Sequence, residues 1–124
     1  AERVQGGCSI ARHPDVTLVA SRLGHPFEAE CAAVVRKHPN VYADVGGLHD
    51  RPFQLYQALI RVQECGVWGK VLFGTDYPFG TVAATLAALR GLNGMLDGTK
   101  LPRLDETCLE AMIHRDSLAV LGLG

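Results

Sequence analysis

The chain has 124 residues, 48% hydrophobic and 20% charged, which fits one soluble globular domain. Twelve basic residues against thirteen acidic ones leave a net charge of -1, and an aromatic content of 6% offers little for stacking bases. A nucleic-acid surface is therefore not expected, and no apolar run approaches membrane-spanning length.

Residues 2–12 read as a helix that Gly6-Gly7 weaken. Val16-Thr17-Leu18-Val19-Ala20, entered through His13-Pro14-Asp15, reads as the first strand. Pro26 can open the next helix as its first residue, with Phe27, Cys31, Val34 and Val35 at helical spacing and Pro39 just past the end. Val41-Tyr42-Ala43-Asp44-Val45 follows as a second strand. Asp50 is the expected N-cap of a helix that begins near Pro52, carries Leu55, Leu59 and Val62, and stops at Gly66. Val71-Leu72-Phe73-Gly74 is the third strand. Thr81 then caps a helix through Leu86 and Leu89 towards Leu96, and Asp105 caps a last helix through Leu109, Met112 and Ile113 towards Leu121.

Repeated βα units imply an α/β fold with a parallel sheet covered by helices. Three short apolar strands make a small sheet, so it reads as incomplete. The four cysteines, Cys8, Cys31, Cys65 and Cys108, lie far apart with no C-x-x-C pair. That spacing argues against a zinc ribbon and for small buried hydrophobes in a reduced, cytoplasmic setting.

Active sites of parallel α/β proteins gather at the C-terminal ends of the strands. Those ends read Ser21-Arg22-Leu23-Gly24-His25, Asp44-Val45-Gly46-Gly47-Leu48-His49-Asp50 and Thr75-Asp76-Tyr77-Pro78. A carboxylate where a buried strand runs out must be hydrogen-bonded, paired or metal-bound. From position alone, Asp76 either caps a neighbouring backbone turn or faces a metal. Asp44 is expected to pair with Arg22 across neighbouring strands. Trp68 is read as packing, and His13, His38 and His114 as structural.

The ordered blocks "HPDVTLVASRLGHPFEAE", "RKHPNVYADVGGL", "VLFGTDYPFG" and "LDETCLEAMIHRDSLAVLGL" cover residues 13–123. Together they resemble the amidohydrolase-related family of metal-dependent TIM-barrel hydrolases and decarboxylases. The resemblance implies that residues 1–124 are a single domain, the C-terminal part of an eight-stranded barrel. It places them on strands six to eight and the terminal helix of a protein more than twice as long. It makes Asp76 a metal ligand, the metal being divalent and most often zinc, and the acceptor of a proton from bound water or substrate. The family's early His-x-His pair and its strand-five histidine have no counterpart here, so the implied site is incomplete. Where the family carries a histidine in an AHLG-like tetrad, this chain has Arg22, which offers no lone pair to a metal or proton. Arg22 is therefore either a clamp for a substrate carboxylate or the mark of a degenerate site. His25, His49 and Tyr77 are further candidates to line a small-molecule pocket, with His25 alternatively fixing the helix start. The expected partners are a small substrate and either further copies of the chain or the missing N-terminal half.

Overall fold

Three short apolar runs pair side by side with the strands all pointing the same way. The computed structural model describes residues 15–25, 27–75, 77–78 and 80–122. The strands are β1 (Leu18–Ala20), β2 (Val41–Asp44) and β3 (Val71–Leu72), in the spatial order β1-β2-β3. Both pairings are parallel, with Leu18 opposite Val41 and Ala43 opposite Val71. Each crossover carries a helix: α1 (Glu28–Lys37) after β1 and α2 (Pro52–Cys65) after β2. After β3 come α3 (Val82–Gly91), a 3-10 turn over Asn93–Leu96, α4 (Glu106–His114) and α5 (Ser117–Val120).

The core lies between the sheet and these helices. Val41, Ala43 and Val45 from β2 and its exit meet Leu55, Leu59 and Val62 of α2, with Val35 of α1 and Leu89 and Met112 from α3 and α4. Trp68 joins the same cluster, as expected of packing. In β1, by contrast, Leu18 is 37% and Val19 42% exposed, although successive strand residues point to opposite faces. Neither face of this edge strand is fully covered by the described residues.

Several boundaries differ from the sequence reading, each for a local reason. Strand β1 starts two residues late, because the Val16 carbonyl is taken by the Asn40 side chain rather than by a strand partner. Strand β3 ends at Leu72, where the Leu72 carbonyl accepts Val45 N–H and the ladder with β2 runs out. Asp50 does not cap α2. Pro52 fixes the helix start, so Arg51 becomes the N-cap residue, without a side-chain bond. Helix α1 begins at Glu28, and Phe27 is its N-cap and exposed rather than part of the apolar stripe. Pro26 and the 2–12 helix lie outside the described residues. The terminal helix breaks at Arg115, whose backbone is extended, and Asp116 caps a new turn by accepting from Ala119 N–H. Thr81 and Asp105 cap as expected, accepting from Ala84 N–H and from Thr107 and Cys108 N–H respectively.

Two cations hold the N-terminal end of the sheet. Lys70 Nζ donates to the carbonyls of Val35 and His38 at 2.7 and 2.6 Å, closing the C-terminus of α1, and sits over the Tyr42 ring. Burial holds the Lys70 ammonium below its usual range. Arg115 Nη1 donates to the carbonyls of Trp68 and Val71 at 2.9 and 2.8 Å, tying the end of α4 to the entry of β3. Arg115→Met should lower stability by about 2 kcal/mol, since it strands two carbonyls of buried residues. Urea unfolding checks this, and an unchanged midpoint would show that the clamp contributes nothing.

Candidate functional site

The C-terminal ends of the three strands carry the ionisable and strained residues. At the end of β1 the chain turns through Ser21–Gly24, left-handed from Arg22 to Gly24. Arg22 has φ 55° and ψ 33°, Leu23 φ 52° and ψ 31°, and Gly24 φ 71°. Two successive non-glycine residues in this region are rare, because Cβ crowds the backbone there. Burial of Leu23 anchors the turn. Backbone bonds from His25 N–H to the Arg22 carbonyl and from Phe27 N–H to the Gly24 carbonyl close it. Gly24 is required twice over: its φ is positive, and a Cβ there would lie 2.6 Å from Cys31 Cβ.

Asp44 ends β2 and joins the neighbouring end to its own. Its Oδ1 accepts from the Arg22 backbone N–H and from the Gly46 N–H, both at 3.1 Å. The second bond is an Asx turn. Asp44 and Arg22 do meet, but the bond that joins them is to the Arg22 backbone amide, a different contact from the side-chain pairing expected. Gly74, past the end of β3, lies against the same place, since a Cβ on it would be 3.9 Å from both Asp44 Cβ and Gly46 N. One carboxylate therefore joins the ends of β1 and β2, and Gly74 after β3 lies beside the same side chain.

Two other candidates follow the ends of β1 and β2. His25 Nδ1 is 2.5 Å from Glu28 Oε1 in the first turn of α1, which is the helix-start arrangement. His49 follows β2 and packs on Gly80: a Cβ at Gly80 would lie 2.8 Å from His49 Cε1 and 3.0 Å from Nδ1, and would collide with the Thr75 carbonyl. His49 Nδ1 is buried and has no hydrogen-bond partner among the described residues. Tyr77 stands apart, 82% exposed. Asp76 lies outside the described residues. His114 is on α4, where its Nε2 approaches Glu110 Oε2 at 3.2 Å, and His38 contributes its backbone carbonyl to Lys70.

Among the described residues no group of three or more His, Cys, Asp or Glu side chains could hold a metal ion. They do not by themselves form a metal centre. Cys31, Cys65 and Cys108 are free and half-buried. Burial first, then the Glu28 and Asp44 carboxylates, push the Cys31 thiol up to about 11, so at neutral pH it is a neutral packing group. No described helix is long and apolar enough to cross a membrane.

Sequence reasoning missed the structural use of Asp44, the Gly24–Cys31 contact and the Gly80–His49 contact. Asp-Val-Gly was a visible Asx-turn signal. The two glycine contacts had no signal, since each depends on a residue seven or more positions away.

The amidohydrolase family matches the chain over residues 4–123. A crystal structure of an amidohydrolase from Burkholderia multivorans with bound zinc superposes with a TM-score of 0.70 at 17% identity, over 99% of this chain and 50% of that one. At that identity the likeness speaks for the fold alone. No match was found among curated proteins. The fold is thus three parallel strands and covering helices of a TIM barrel, and the chain spans half the length of the solved structure. It belongs to the amidohydrolase family.

Gly24→Ala should destabilise by about 3 kcal/mol, combining the left-handed penalty with overpacking against Cys31. Gly66→Ala, with φ 70° but nothing within 4 Å, should cost only about 1 kcal/mol. Equal losses by thermal unfolding would show that the Cys31 contact is slack. Alkylation of Cys31 by iodoacetamide, read by peptide mass spectrometry, should stay slow at pH 9 and rise only towards pH 11. Fast labelling at pH 8 would contradict the buried, neutral thiol.

Proposed function

We propose that this chain is the C-terminal part of a metal-dependent hydrolase acting on a small carboxylated or cyclic substrate. The observation that carries the reading is the joining of the β1 and β2 ends by Asp44, with Gly74 after β3 beside it and strained, ionisable loops on that one face. Asp76, which follows the third strand, is assigned as a metal ligand and proton acceptor. The remaining ligands would come from the half of the barrel that the chain does not span. A divalent metal, zinc by analogy with the solved relative, would lower the pKa of a bound water to about 7. The residues of this chain do the rest. Arg22, always protonated, pairs with a substrate carboxylate. His49 supplies a buried ring nitrogen that has no hydrogen-bond partner among the described residues, while His25 and the exposed Tyr77 are assigned to the mouth of the pocket. Decarboxylation is the rival reaction on the same residues, and release of carbon dioxide rather than of a hydrolysed acid would select it. The free thiols support a reducing compartment such as the cytoplasm.

A second reading is that the chain acts as a non-catalytic assembly piece. The exposed edge strand β1 supports it, because parallel sheets are normally covered on both faces. In that case the chain should associate with itself or with an N-terminal half, and sedimentation as a stable folded monomer would contradict it.

The deciding measurement is zinc content together with turnover. In the full-length protein, Asp76→Ala should lose zinc by mass spectrometry and lower turnover by about a thousandfold, the several kcal/mol a metal contributes. Full activity in the variant would remove Asp76 from the chemistry.

A further inference from the structure

We propose that Asp44 is a positioning residue: its carboxylate holds the strained turn that carries Arg22, and so fixes where the guanidinium meets a substrate carboxylate. The inference rests on the reading of Arg22 as the substrate clamp. It goes further by naming the group that makes the clamp specific.

A left-handed backbone at Arg22 and again at Leu23 persists only where the surroundings over-determine it. Most of what holds this turn is local. The His25-to-Arg22 and Phe27-to-Gly24 bonds lie within the turn itself, and Leu23 contributes burial. The bond from Arg22 N–H to Asp44 Oδ1 is different, because it links the turn to the end of the central strand. Asp44 is held in turn by the Gly46 N–H on the same oxygen and packs beside Gly74. One oxygen thus sets the turn after β1 against the loop that follows β2.

Without that acceptor, Arg22 can relax to the ordinary negative-φ region. The change would swing its Cα–Cβ direction, and the long arginine arm would carry the swing into ångströms at the guanidinium. Fork-like pairing with a carboxylate needs alignment, and a misplacement of about 1 Å can cost about a hundredfold. The role asks for an acceptor oxygen rather than a negative charge. An asparagine, which keeps Oδ1, should serve, and an alanine should not.

The test uses benzoate and its uncharged counterpart benzamide as probes, titrated calorimetrically into the chain in its natural full-length context. The parent should prefer benzoate, and Arg22→Met should abolish that preference. Asp44→Ala should weaken benzoate by about tenfold or more while leaving benzamide unchanged, and Asp44→Asn should stay within about threefold of the parent. Leu109→Ala, a buried truncation in α4, should lower stability and leave the preference intact. If Asp44→Ala fails to fold, Asp44→Glu, which keeps the charge but moves the oxygen outwards, should show the same loss. Parental benzoate binding by Asp44→Ala, or by Asp44→Glu if it takes that place, overturns the positioning role while the Arg22 clamp stands. A loss in Leu109→Ala equal to that in Asp44→Ala also overturns it, because it would mark general loosening. No benzoate preference in the parent removes clamp and positioning together.

Discussion

A parallel strand flanked on both edges spends its backbone groups on its neighbours, so its ends decide how those neighbours are set, and β2 is that strand here. Its residues pair with β1 on one side and β3 on the other, and Ala43 is wholly buried. Several polar atoms where β2 begins and ends find partners in the protein. At the entry, Leu18 N–H donates to the Asn40 carbonyl and Lys70 takes the His38 carbonyl. At the exit, Val45 N–H reaches the Leu72 carbonyl, and Asp44 gathers the amides of Arg22 and Gly46. Completing this one strand sets the positions of its neighbours.

The two ends of the sheet solve the problem with opposite chemistry. At the N-terminal end, cationic side chains donate to carbonyls: Lys70 to the end of α1, and Arg115 to the approach of β3. At the C-terminal end, a carboxylate accepts from backbone amides. The first arrangement leaves no strained backbone among its residues. The second leaves Arg22 and Leu23 left-handed, and tension of that kind collects at functional faces.

Much of the fold was legible in the sequence because its determinants are local. The Val41–Val45 run, the Thr81 and Asp105 caps and the Gly66 stop each signal within a few residues, and the structure agrees with them apart from the strand's ending one residue sooner, at Asp44. Strand lengths were not legible, since β3 ends where its partner ends and not where its own apolar run does. The break at Arg115 was hidden for a similar reason: the side chain that departs from the helix does so to reach Trp68 and Val71, 47 and 44 residues earlier. At the candidate site, the face and the membership of Arg22, Asp44 and His49 could be read from strand order. The atoms that join them could not, because Asp44 was visible as an acid while the partners it took were backbone amides from 22 and 2 positions away.

The cationic base has an implication for how such a protein can change. Lys70 and Arg115 grip carbonyls, which every residue type possesses, so their hold is indifferent to the side chains at Val35, His38, Trp68 and Val71. The frame of the sheet is thereby insulated from substitutions at the opposite end. Loops after the strands can be exchanged for others with different chemistry while the chassis beneath them keeps its alignment.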